Sequence, residues 1–120
     1  MKKIYVCSPY AGDTETNVRN ARKYCEYVVR KCGAIPIAPH LFFPQFLDDD
    51  NPNERQFGLD AGKQFIGECD ELWYFGDRVS KGMVSEILKA KKENIRVVYV
   101  PNADIDKTLN GGKNNELSQE

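Results

Sequence analysis

The sequence predicts an α/β fold: a parallel sheet of four to five strands with helices on both faces. Two observations carry this. Short β-prone apolar runs alternate along the chain with longer stretches of helical spacing, the pattern of strand–helix–strand crossovers. The chain has 120 residues, about one domain's worth, and shows no internal repeat or linker.

The elements follow in order. Ile4-Tyr5-Val6-Cys7 is a short apolar strand, ended by Ser8-Pro9-Tyr10-Ala11-Gly12. Residues 13–32 have helical spacing, with Val18, Ala21, Cys25, Val28, Val29 and Cys32 on the inward face. Asp13 or Thr14 caps this helix, and Gly33 stops it. Residues 34–39 form a second strand, and Pro36 and Pro39 suit an edge position. Residues 40–47 are aromatic and irregular, and residues 48–53 are a polar loop. A helix runs from Pro52 or Asn53 to Gly67, with Phe57, Ala61 and Phe65 inward and Leu59 and Ile66 as further candidates for that face. Glu71-Leu72-Trp73-Tyr74-Phe75 is the third strand. A helix over residues 82–94 turns Met83, Ile87 and Ala90 inward, and residues 96–100 make the fourth strand. The domain is predicted over residues 1–101. Residues 102–120 are poor in apolar side chains and are predicted to form a polar, mobile tail, the alternative being that Leu109 or Leu117 returns to the sheet.

Composition narrows the function classes. Seventeen Lys and Arg against 18 Asp and Glu give a net charge of −1, the wrong balance for a protein that binds nucleic acid polymers through their phosphates. No apolar run reaches the ~20 residues a membrane helix needs, so no membrane partner is predicted. The N-terminus turns polar by Ser8, which predicts a cytoplasmic chain without a secretory leader. Cys7, Cys25, Cys32 and Cys69 form no C-x-x-C pair, and His40 is the sole histidine, so no metal site is predicted. The four cysteines read as free, mostly buried thiols, with Cys7 at a strand end as the candidate for reactivity.

In an open parallel sheet, ligands bind beyond the carboxyl ends of the strands. That rule selects Ser8 to Asp13, Pro39 to Phe43 and Gly76 to Glu86. In the last segment Gly82 lets the backbone approach a ligand, and Ser80 either caps the helix or bonds a phosphate. Glu86 lies beside Gly82 and Met83 by helical spacing. It is either a solvated helix carboxylate or a positioned one able to attack an electrophilic sugar carbon. His40 is structural or touches a sugar or phosphate. Tyr10 is packed or stacks on a base. Arg78, Lys81 and Arg55 are surface charges or anion partners. Asp48, Asp49 and Asp50 read as a solvated loop.

Three strings carry a family resemblance: Ile4-Tyr5-Val6-Cys7-Ser8-Pro9-Tyr10, Cys69-Asp70-Glu71-Leu72-Trp73, and Ser80-x-Gly82-x-x-x-Glu86-x-x-x-Ala90. Over about residues 3 to 100 the chain resembles the nucleoside 2-deoxyribosyltransferase-like superfamily, in its small bacterial and phage branch. The resemblance implies a flavodoxin-like, Rossmann-like sheet, no cofactor, and cleavage or exchange of the N-glycosidic bond of deoxynucleosides or deoxynucleotides. It implies that Glu86 is the nucleophile and forms a covalent deoxyribosyl intermediate. It puts Tyr5 in the active site, Ser80 on a 5′-phosphate, and Asp60 on the carboxylate that handles the leaving base. It implies a homo-oligomer whose neighbouring chains complete the pocket, and a small nucleoside or nucleotide as partner.

There are departures. Transferase members commonly have Asp where this chain has Ser80, and Leu-Gly or a second Gly where it has Ile87-Leu88. The segment between Asp60 and Asp70 is longer than the usual pattern. These differences favour a phosphorylated ligand or a lost activity. The second reading is therefore a non-catalytic nucleotide-binding or sensing module using the same cleft. A flavodoxin-like electron carrier is disfavoured, because Pro9 and Tyr10 stand where a Ser/Thr-rich flavin phosphate cradle belongs.

Overall fold

A computed structural model describes residues 1–111. The elements are β1 (Lys3–Cys7), α1 (Thr14–Cys32), β2 (Ile35–Ile37), two 3₁₀ turns (Pro39–Leu41 and Phe43–Gln45), α2 (Pro52–Gly67), β3 (Glu71–Phe75), α3 (Lys81–Lys92), β4 (Arg96–Val100) and α4 (Asn102–Asn110). The strands form one parallel four-stranded sheet in the order β2-β1-β3-β4. Tyr5 pairs with Ile37 on one side and Leu72 on the other, so β1 is central and β2 is the proline-bearing edge.

Alternation along β1 sends its side chains to two cores. Ile4 and Val6 join Tyr24, Tyr27, Val28, Phe75, Val100 and Ile105 on the face covered by α1 and α4. Tyr5 and Cys7 join Ile66, Leu72, Met83 and Ala90 on the face covered by α2 and α3. The helices on both faces are the arrangement the alternating pattern predicted.

Local signals set most helix ends. The Asp13 carboxylate accepts the Thr16 amide, and Gly33 closes α1 at φ 62°, a left-handed conformation that glycine adopts without a Cβ penalty. Asn51 accepts the amides of Asn53 and Glu54 ahead of Pro52 at the start of α2. Ser80 caps α3.

The structure corrects three expectations. In α1, Ala21 and Val28 are buried as expected, but Tyr24 and Tyr27 bury beside them while Cys32 is exposed. Two large rings cover more apolar surface than two thiols, and they meet Phe75. In α2, Phe57 and Leu59 are exposed, whereas Ile66 is buried with Phe65 packed beside it as expected, and Gly62 joins them. A Cβ at Gly62 would be in ordinary contact, 3.5 Å from the Pro39 Cβ and 3.6 Å from the Tyr5 hydroxyl.

The third correction concerns the expected tail. From Asn102 the chain forms α4, and Ile105 is buried in the α1-side core with Leu109 packed beside it. These two apolar residues at i, i+4 make a narrow inward stripe that a low overall apolar content concealed. Residues 112–120, with Leu117, lie outside the described residues. Ile105→Ala is expected to cost about 2–4 kcal/mol by leaving a cavity between α4 and α1, read as a lower urea midpoint at unchanged slope. An unchanged midpoint would mean that α4 contributes nothing to the fold.

Candidate active site

The carboxyl edge of β1 and the first two turns of α3 meet on the α2–α3 side of the sheet. Glu86 projects back toward β1, and each of its oxygens has a donor there. The Tyr5 hydroxyl donates to Oε2 in a short hydrogen bond. The Cys7 thiol lies 3.4 Å from Oε1 and also 3.9 Å from the Met83 carbonyl. Tyr5 and Cys7 are two apart on a strand, so they share a face and present both donors to one carboxylate.

Burial is the main influence on these groups. It raises the Glu86 carboxyl above its ordinary range, while the bonds from Tyr5 and Cys7 and the positive charge of Lys63 act in the opposite direction. Tyr5 and Cys7 are both pushed up, first by burial and then by the Glu86 charge. Tyr5 and Cys7 therefore stay neutral and act as donors to the Glu86 carboxyl group. Tyr5→Phe removes a donor that favours the ionised form. The pKa of Glu86, faced by Tyr5, Cys7 and Lys63, is then expected to rise further. Any turnover that needs the carboxylate would show its acid limb moved to higher pH, and a coincident pair of pH–rate profiles would refute the assignment.

Ser80 accepts the Met83 amide at 3.3 Å as the cap of α3, which leaves its hydroxyl hydrogen available to a ligand. The Met83 sulfur lies 3.5 Å from the Ser80 amide. A Cβ at Gly82 would meet nothing nearer than the Ser80 Oγ at 4.0 Å, so the space around Gly82 is open. Ser80, Met83, Cys7, Glu86 and Tyr5 thus form one chain of contacts.

A second group adjoins it at the end of β1. Ser8 is 2% exposed, and among the described residues its Oγ is the buried side-chain oxygen or nitrogen with no partner. His40 packs against the Ser8 main chain, and burial lowers its pKa, which keeps the imidazole neutral at pH 7. Tyr10 stacks on His40 with ring centroids 4.8 Å apart, and its hydroxyl bonds Asp49. Burial and that bond push the Tyr10 phenol up to about 12, against the opposing charge of Arg55. One face of Tyr10 is therefore already covered by His40, which narrows its expected role in stacking on a base.

Asp60 is exposed, accepts a 2.9 Å bond from Gln56, and lines a groove of about 520 Å³ with Phe42, Phe43 and Phe57. Arg78 lines a separate polar cleft of about 350 Å³ with Asn17, Lys23, Gly76 and Asn102. Among the described residues no group of three His, Cys, Asp or Glu side chains is placed to hold a metal ion. No helix there is long and apolar enough to cross a membrane.

Sequence reasoning placed Cys7 at a strand end but did not connect it with Glu86. The period-two rule, applied from Tyr5, would have done so. Lys63 carries no local signal, and only the packing of α2 brings its charge within reach of Glu86.

The fold has a solved counterpart. A 2-deoxyribosyltransferase from the psychrotolerant bacterium Bacillus psychrosaccharolyticus is similar with a TM-score of 0.64 at 20% identity, over 82% of this chain and 72% of that one. At that identity the likeness speaks for the flavodoxin-like fold. No curated protein matches the chain. The family model for the Domain of unknown function (DUF7768) matches residues 2–100, and the chain belongs to that family.

Proposed function

We propose that this protein cleaves or transfers the N-glycosidic bond of 2′-deoxynucleosides or their 5′-monophosphates, with Glu86 as nucleophile and no cofactor. The observation that carries the reading is the Glu86 carboxylate, held by Tyr5 and Cys7 at the carboxyl edge of a sheet with a deoxyribosyltransferase-like fold. Attack at the anomeric carbon forms a glycosyl ester, and water or a second base resolves it. The missing 2′-hydroxyl eases positive charge at that carbon and leaves room for the carboxylate. The neutral phenol and thiol orient the nucleophile without neutralising it. The setting is a cytosolic homo-oligomer, for which the exposed Val84 and Leu88 of α3 offer an apolar face.

Ser80, the N-terminus of α3 and the adjacent Lys81 favour a 5′-phosphate over a 5′-hydroxyl. A deoxynucleoside monophosphate is expected to bind about tenfold tighter than its nucleoside, one charge-assisted hydrogen bond's worth. Calorimetry measures this, and equal affinities would return the unphosphorylated substrate to first place. The decisive test incubates the protein with deoxynucleosides and their monophosphates and looks for free base by chromatography. Release of base supports the enzyme. Tight binding without release would establish the alternative, a nucleotide-sensing module. That alternative draws on one observation: Asp60, the expected partner of the leaving base, is exposed and bonded to Gln56.

A further inference from the structure

We infer that Cys7 is a positioning residue for Glu86: its thiol and the Tyr5 phenol hold one carboxylate oxygen each, and this leaves Oε1, the oxygen facing the thiol, as the one that attacks. The inference rests on the proposed nucleophilic role of Glu86, and its first measurement is independent of that role.

The argument starts from the two donors. A phenol is a strong donor, and its bond to Oε2 occupies a lone pair of that oxygen. A thiol is a weak donor, and 3.4 Å from Sγ to Oε1 is a long contact within sulfur's reach. The thiol hydrogen has two acceptors in range, Oε1 and the Met83 carbonyl at 3.9 Å. The nearer, charged oxygen is the stronger of the two. Oε1 is therefore held in direction while keeping most of its electron density. Two donors on two oxygens also fix the plane of the carboxylate, which one donor alone leaves free to rotate about the last side-chain bond.

Burial confines Cys7 to this role. The residue is 0% exposed, enclosed between β1 and α3. Burial and the neighbouring carboxylate keep it in the thiol form, so it donates rather than competing as a thiolate nucleophile. In the chemical step, a lone pair of Oε1 forms the bond to the anomeric carbon. The carbon–nitrogen bond breaks with its pair going to the base, which takes a proton from water. Water then cleaves the ester, returning the carboxylate and a proton to solvent. The thiol keeps its hydrogen throughout.

The test uses Cys7→Ala and Cys7→Ser. Carboxyl-carbon NMR first follows the titration of Glu86 in the ligand-free protein. The charged and titratable groups facing it are Tyr5 and Cys7 from β1 and Lys63 from α2. Cys7→Ala is expected to move the Glu86 titration to higher pH, and Cys7→Ser, which restores a donor, to bring it back at least in part. With a substrate in hand, Cys7→Ala is expected to lower kcat about tenfold with KM within about twofold, and Cys7→Ser to recover much of the loss. Thermal melting of both variants separates loss of the clamp from misfolding. An unmoved Glu86 titration in Cys7→Ala overturns the inference, whether or not any substrate is turned over. So does a kcat loss that Cys7→Ser fails to rescue. If the titration moves as expected but no deoxynucleotide is cleaved, the clamp stands and the proposed nucleophilic reaction fails alone.

Discussion

Glu86→Gln is expected to lower turnover of any deoxynucleotide substrate by ~10³-fold or more while leaving binding within a few-fold. The amide is nearly isosteric. Its oxygen still accepts from the Tyr5 hydroxyl, and its NH₂ turns toward the Cys7 sulfur, so the packing against Met83 is kept. It is a far poorer nucleophile, and it carries no charge to offset the positive anomeric carbon in the transition state. Such a loss is at least ~4 kcal/mol of transition-state stabilisation. Single-turnover kinetics and trapping of a deoxyribosyl adduct by mass spectrometry check it, and equal turnover by the variant would remove Glu86 from the mechanism. The same variant has a stability signature. Burial raises the folded-state pKa of Glu86, so its stabilising contribution is present below the unfolded carboxyl pKa and is lost as pH rises through the folded one. Glutamine does not titrate. Glu86→Gln is therefore expected to melt higher than the native protein at pH 7, with the gap closing near pH 4. A gap that is the same at both pH values would mean that the buried charge is not its cause.

Phe75→Ala is expected to be the most damaging core substitution, at about 3–5 kcal/mol. Phe75 ends β3 with no exposed surface, stacks on Tyr24 at 4.6 Å with planes 11° apart, and meets Tyr27 edge-on at 6.2 Å. Removing the ring opens a cavity, takes the stacking partner from Tyr24 and leaves Tyr27 with Trp73. Against a total stability of roughly 5–15 kcal/mol for a domain of this kind, that is a large share. The melting temperature is expected to fall by roughly 10–20 °C. A fall under about 3 °C would mean that α1 does not close on β3 through these rings. Phe57→Ala, at an aromatic residue 59% exposed, serves as the contrasting substitution and is expected to change stability by less than about 1 kcal/mol.

Reading these residues from sequence succeeded where a signal is local. Asp13 and Gly33 bracket α1 because a side-chain oxygen and a missing Cβ act within a few residues of themselves. Val6 and Leu72 are buried because short apolar runs in a parallel sheet are covered on both sides. Glu86 was singled out from a segment chosen only for following a strand, and it meets the end of β1. The errors fall where two elements compete for one space. Phe57, Ala61 and Phe65 make a plausible inward face for α2 in isolation, yet Phe57 is exposed while Gly62 and Ile66 are buried with Phe65 packed beside them.

The sequence by itself determined the α/β class, the order of strands and helices, the cap residues and the loops in which a ligand site can form. Each follows from periodicity or from a residue's own backbone and hydrogen-bonding preferences, which need no partner. Only the tertiary structure decided that α4 packs beside α1, that Phe57 is exposed, and that Tyr5 and Cys7 hold the two oxygens of one carboxylate. Those outcomes depend on the rotation of each helix about its axis. That rotation is set by how side chains distant in sequence share a limited volume, a quantity that no local pattern contains.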